Sequence, residues 1–284
     1  MEHTTVWDAD ACIDDLITAR LADPPEALRQ PGTGLYLLID PFLGDPVLPE
    51  ALQEGLSADA LDAERGKVWQ RPTFALSLPE GLSMDKSLAP YLVALTGVDD
   101  PWMDSSVQWA IQETVQTWHD DLPSPVAHRV GGWLQSAAQA PAVAAHLSQW
   151  LRLRTHQPTT ARYLRLADRR VLGLARHVLG EGTLAASLAP IQHWHWLDAH
   201  GAWTTMSAHL RPQAASQFPV FDAQQWALMA HGPNVHHQMA RRIAQRLTRS
   251  DCPAPSSWPP VDAAQWQAAV LASQAMTPDR RPQP

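Results

Sequence analysis

The densest grouping of residues able to do chemistry is His193, His195, Asp198 and His200, in the run IQHWHWLDAHG. Residues two apart on a strand project to the same face, so His193 and His195 could offer two imidazoles to one ion, with Asp198 adding a carboxylate. That set would suit tetrahedral zinc, and the protein would then be a metal-dependent hydrolase. The same spacing sends Trp194 and Trp196 to the other face, and a half-buried strand with polar residues outward explains the segment with no metal at all. His236 and His237 are adjacent on a predicted helix and cannot both face one ion. The acid pairs Asp8/Asp10, Asp14/Asp15, Asp99/Asp100 and Asp120/Asp121 fall at predicted helix starts and turns, where capping and solvation account for them. Arg165, Asp168 and Arg170 form a tighter polar cluster, read as an internal ion-pair network or as an electropositive contact surface. No GxSxG elbow, GxxxxGK[ST] loop, GxGxxG turn, HExxH or CxxC is present, so no catalytic, cofactor-binding or metal residue is assigned and no cofactor is expected. Cys12 and Cys252 lie far apart without metal-ligand spacing, and a reducing compartment would keep both as thiols.

The elements that must position these residues follow from apolar periodicity. Residues 10–22 put Ile13, Leu16, Ile17 and Leu21 on one helical face. The run GLYLLID, ending at Asp40, reads as a buried central strand. Val47–Leu56 is a short helix candidate, and residues 57–88 read as polar and broken, with Phe74, Leu76 and Leu78 alternating as an edge strand. PYLVAL (90–95) is a second strand. A helix capped by Asp104, Ser105 or Ser106 should carry Val107, Ile111, Val115 and Trp118 inward. After a turn at 120–125, RVGGWLQ (129–135) is a third strand whose glycines suggest a bulge or close backbone approach. Pro141 opens a helix lined by Val143, Leu147, Trp150 and Leu151. Between Arg162 and Met206 the pattern is strand, helix, strand. Its strands are Tyr163–Leu166 and Ile191–Leu197, its helix is capped by Asp168 and ended by Gly180 and Gly182, and a hairpin turns at DAHG. Beyond Pro212, Asp222 caps a helix bearing Trp226 and Met229, Gly232-Pro233-Asn234 breaks it, and Val235, Met239, Ile243 and Leu247 line a second.

The expected fold class is α/β, a mixed β-sheet flanked by helices, with a smaller C-terminal helical lobe. Residues 1–211 would form the α/β domain and 212–250 the lobe. Residues 251–284 would be a Pro-rich tail with one short helix at 262–275, mobile or ordered only on a partner. With 284 residues, 45% hydrophobic, the chain can bury a sizeable core. It has no apolar run of membrane-spanning length and no basic-then-apolar leader, which places it in the cytoplasm.

Charge is polarised. Residues 1–121 hold 22 acids and 6 bases, whereas residues 122–284 hold 7 acids and 15 bases. The halves can dock on one another or offer an external partner two unlike surfaces. Of the 21 bases 19 are Arg, which suits bidentate pairing with carboxylates. The acidic total and the lack of a basic motif interleaved with aromatics argue against nucleic acid. Thirteen tryptophans are many for this length. Most belong in a core, and Trp226, Trp258 and Trp266 are candidate interface anchors. Arg242, Arg246 and Arg249 share a helical face.

From Arg165 onward the pattern resembles the cytoplasmic effector chaperones, or adaptors, of bacterial type VI secretion. Their run has a strand ending in Arg, then Asp-Pro-Arg-Val-Leu, a helix, and Gly-Pro-Ile before a tryptophan-rich hairpin. Here it is Arg165, Asp168, Arg170, Val171, Leu172, Pro190, Ile191, Trp194, Trp196 and Trp203. The strand ending at Asp40, PYLVAL, RVGGWLQS and the helical stretch Leu147–Arg154 match the upstream features. Arg169 stands where that family has Pro, and Ala189 where it has Gly. The resemblance spans Leu35–Met206. It implies a non-enzymatic role, holding a cognate toxic effector by its N-terminal region and loading it onto the secretion spike, with no nucleic-acid or membrane partner. By the same analogy the C-terminal lobe, with Trp226, Arg242, Arg246 and Trp266, would read the effector. An immunity-type protein that neutralises a toxin is the neighbouring alternative.

Overall fold

Five consecutive apolar side chains make Leu35–Ile39 a strand that must be covered on both faces, and β1 (Gly34–Ile39) is indeed central. A computed structural model describes residues 8–30, 32–50, 56–82, 84–119, 126–154, 161–209, 218–249 and 251–275. Around β1 lie β2 (Thr73–Ala75), β3 (Tyr91–Leu95), β4 (Val130–Ser136), β7 (Ile191–Leu197) and β8 (Trp203–Ser207), in the order β2-β3-β1-β4-β7-β8. All pairings are antiparallel, so the mixture is of helices with strands rather than of strand directions. Leu37 sits opposite Val93 on one side and Trp133 on the other.

The glycines of β4 do what a small residue in a strand is for. A Cβ on Gly131 would run into the Ala167 carbonyl, and one on Gly132 into the His195 carbonyl. The β1–β4 register shifts at Leu38/Ile39, which is the expected bulge.

Helices α1 (Ala9–Ala22), α2 (Ala58–Trp69), α3 (Pro101–Gln116) and α4 (Ala140–Trp150) come before the motif region. α3 starts earlier than its apolar pattern suggests. Asp100 accepts from Trp102 N at 3.1 Å and Pro101 fills the first turn, so the cap is not at 104–106. α2 is absent from the sequence reading because its buried stripe, Leu61, Arg65 and Trp69, has an arginine in the middle. That arginine is neutralised by Asp45 at 2.8 Å. Of the helix expected at 47–56, residues 46–48 form a bend and 51–55 lie outside the described residues, as do the 120–125 turn and 276–284.

The strand–helix–strand unit is divided between two sheets. β6 (Ala161–Tyr163) pairs only with β5 (Arg152–Arg154) as a separate ribbon, and the chain leaves strand geometry after Tyr163. α5 (Arg169–Leu179) ends at Gly180, φ +81°, and α6 (Glu181–Ala186) follows at once, so Gly182 lies inside a helix and not at an end. The β7–β8 hairpin turns where expected, Asp198 accepting from His200 N at 2.9 Å and Ala202 N at 3.1 Å.

α7 (Ala223–Ala230) carries a capping box between Asp222 and Gln225, α8 (Gly232–Leu247) starts at the break, and α9 (Ala263–Ala275) packs along α8. The segment expected as a loose tail is tied down up to Ala275. Trp266, Ala269 and Val270 are buried, and Trp266 lies so close to α5 that a Cβ on Gly173 would meet it at 3.0 Å. Burial of a large apolar side chain stabilises by about 1.5–3 kcal/mol, which adds to the packing of α9 along α8. Trp69, Trp118, Trp133, Trp150, Trp194 and Trp196 are all in the core. Among the described residues no helix is long and apolar enough to cross a membrane.

Candidate functional site

Asp40, at the end of β1, and Arg165, beyond β6, are 125 positions apart and meet at 2.6 Å. The acid is fully buried and also accepts from Phe42 N at 3.1 Å, while the Arg165 guanidinium lies 4.3 Å above the Phe42 ring. Burial pushes the Asp40 carboxyl up to about 6 despite Arg165. Asp168, buried at the N-cap of α5, accepts from Arg170 N at 3.0 Å and takes the same residue's Nε (3.0 Å) and Nη2 (2.7 Å). Burial raises this acid, but Arg170 and Arg165 outweigh it and its pKa ends below the ordinary value. Asp40, Arg165, Asp168 and Arg170 thus form one network, as an ion-pair reading of the sequence requires.

Beneath it lies a second knot that sequence reasoning missed. Arg169, first residue of α5, is 3% exposed and donates to Glu113 Oε2 (2.9 Å), the Val130 carbonyl (2.9 Å), the Ala110 carbonyl (2.6 Å) and Thr114 Oγ1 (3.0 Å). Arg129 gives its backbone N–H and its Nε to Glu113 Oε1, both at 3.0 Å. The residue that departs from the Pro of the family pattern is therefore the most deeply committed arginine of the motif. A signal existed, since Glu113 stands on the buried stripe of α3 with Ala110 and Thr114. These pairs, Asp40–Arg165, Glu113–Arg129 and Glu113–Arg169, also join the acid-rich half of the chain to the arginine-rich half.

The remaining motif residues are structural neighbours. Trp194 donates to the Gly131 carbonyl at 3.3 Å, and Ser136 Oγ donates to the Pro190 carbonyl at 2.7 Å. Trp196 lies beneath the Arg176 guanidinium at 5.7 Å.

The histidines of β7 are not arranged as an ion site. His195 is buried rather than outward, because Gln135 and the segment at Ala27 cover that face. Gln135 turns its amide N–H to the Ala27 carbonyl, so its Oε1 accepts from His195 Nε2 at 3.1 Å and Thr205 Oγ1 serves His195 Nδ1 at 2.8 Å. With both nitrogens engaged and burial depressing its pKa to about 3, His195 is neutral. His193 pairs with Ser207, and His200 donates to the Pro259 carbonyl at 2.8 Å. Asp198 accepts from Val261 N at 2.6 Å as well as from its own turn. Among the described residues no group of three or more His, Cys, Asp or Glu could hold a metal.

The four residues expected to touch a partner have intramolecular neighbours. Trp226 packs on Phe221 with centroids 4.8 Å apart, and Trp266 stacks on His177 at 6.1 Å. Arg246 lies 4.2 Å from the Trp258 ring, and Arg242 reaches the Ala268 carbonyl at 3.3 Å.

Between the network and the lobe is an open cavity of about 610 Å³. Arg165, Asp168, Arg170 and His128 line its polar side, and Trp196, Met229, Ile243 and Trp266 are among its apolar walls. Phe42 and Leu43, 39% and 38% exposed, also border it. His128 was not singled out by any sequence pattern, for it lies on no element and in no repeat. No protein-family model, no curated protein and no solved structure matches this chain.

Proposed function

We propose that the protein is a non-enzymatic adaptor that grips another polypeptide, on the pattern of the type VI secretion effector chaperones it resembles in sequence. The observation that supports this most is the use made of its acids. Asp40, Glu113 and Asp168, from three separate stretches, are each engaged by arginine in two neighbouring ion-pair groups around the start of α5. Acids held in this way serve shape and docking better than proton transfer, which needs a group free to reach a reacting atom. The lobe α7–α9 packs on α5 and presents Leu271 at 56% exposure, so its outer face is the region assigned to the effector.

The test is coexpression with the product of any large toxin-like gene found beside its own, followed by gel filtration and a secretion assay. The expected result is one coeluting complex, weakened by Leu271→Asp, and loss of secretion of that protein when the adaptor gene is deleted. Separate elution with unimpaired secretion would overturn the reading.

A further inference from the structure

The cavity beside α5 has hydrogen-bonding groups for which the described chain supplies no partner. Arg165 uses Nε on Asp40, its Nη1 stands 3.8 Å from Asp168, beyond hydrogen-bond length, and its Nη2 is buried with no acceptor. His128, 3% exposed, has no partner at either ring nitrogen, and His236 has none at its buried Nε2. An unpaired buried group of this kind costs about 1–3 kcal/mol. Four such atoms on three residues lining one cavity point to something that binds there.

The chemistry of that ligand follows from what is unused. Arg165 has a donor to give, and the ring of His128 adds another. Arg169, Arg170 and Arg165 all act on His128 in the same sense, and after burial they are what drives its pKa well below the ordinary value. A field that repels a proton there attracts a negative charge. Asp168 on the same wall and Asp40 behind it would repel a dianion, which argues against phosphate and for a single charge. Trp196, Met229, Ile243 and Trp266, which also line it, ask for an apolar body, and the volume lies within the range of about 300–1,000 Å³ typical of small-ligand sites.

We propose that this cavity binds a monocarboxylate with an apolar, ring-sized body, its carboxylate met by Arg165 and His128 and its body by the indoles of Trp196 and Trp266. The carboxylate can belong to a free organic acid or to the C-terminus of a polypeptide. The site does not depend on the adaptor reading, because its test contains no effector.

Titration calorimetry of the full chain against four probes decides it: 3-phenylpropionate, 3-phenylpropionamide, acetyl-Ala-Ala-Phe with a free C-terminus, and the same peptide amidated. At least one acid should bind saturably at one per chain, and its amide about 10-fold or more weaker, since the amide lacks the charge that the arginines attract. His128→Leu should weaken the acid by a similar factor, and His236→Leu provides a second reading should the first variant fold poorly. Tighter binding of phenylpropionate identifies a small acid as the ligand class, and tighter binding of the peptide identifies a polypeptide terminus. Absence of binding by both acids up to millimolar concentration, equal binding of acid and amide, or wild-type affinity in the folded histidine variants would overturn the proposal.

Discussion

Glu113 and His128 are both buried beside Arg169, and they are in opposite conditions. Glu113 is held by two arginines and by a backbone N–H. Among the described residues His128 has no hydrogen-bond partner at either ring nitrogen. The first arrangement is closed on itself and fixes α5 against α3 and β4. The second lies buried in the lining of a cavity. Polar groups buried for stability come with their partners from within the chain, and a buried polar group without one marks a place where the partner comes from outside.

Breaking the closed side should have the largest effect. Arg169→Met leaves buried Glu113 with Arg129 alone and takes the donor from the Ala110 and Val130 carbonyls, and a loss of about 3–5 kcal/mol is expected in urea unfolding. The double variant Arg169→Met, Glu113→Leu should lose clearly less than the two single changes added together, because the buried carboxylate and the buried guanidinium go together and only the part-exposed Arg129 gives up its partner.

Asp40 comes next. Its carboxyl is near 6 when folded and 3.8 as an ordinary carboxyl, so the folded state holds the proton more tightly. Its contribution to stability is present below about pH 4 and is lost as pH rises to about 6, amounting to roughly 3 kcal/mol at most. Buried His195 and His236, lowered to about 3 and about 4, act in the opposite sense over the same range. The Asp40 effect is therefore read as the difference between the pH–stability curves of wild type and Asp40→Asn. Parallel curves would show that Asp40 is not protonated preferentially in the folded state.

His195→Leu should cost about 1–3 kcal/mol, since Gln135 Oε1 and Thr205 Oγ1 each lose a partner. His128→Leu is the smallest effect and the sharpest contrast. Removing two unsatisfied nitrogens should leave stability within about 1 kcal/mol of wild type or raise it, by the same denaturation measurement. A loss comparable to that of His195→Leu would mean that the two histidines are in the same condition, and the contrast would be gone.

What could be read from the sequence was what repeats locally. The alternation and apolar density of GLYLLI, PYLVAL and IQHWHWL placed β1, β3 and β7, and Asp222 placed the start of α7. Residues interrupting a pattern were lost: Arg65 hid α2 by occupying its buried stripe, and Glu113 passed unnoticed on that of α3. His193 and His195 drew notice because they lie two apart on one strand, yet their rings are paired with β8 and β4. His128 and His236 come from different parts of the chain, and only folding brings both to the cavity. Trp226 and Trp266 read as interface anchors because nothing in a linear pattern announces that Phe221 and α5 will lie against them.

The pairs linking Asp40 and Glu113 to arginines beyond residue 128 set an order for synthesis of the chain. When a ribosome has made only the first four strands of the main sheet, β4 is a bare rim with no β7 beside it, and the emerging polypeptide is a strongly anionic, unfinished object. Closure must await the cationic portion, so the nascent protein passes through a stretch of elongation in which self-association at that rim is opposed chiefly by its own negative charge.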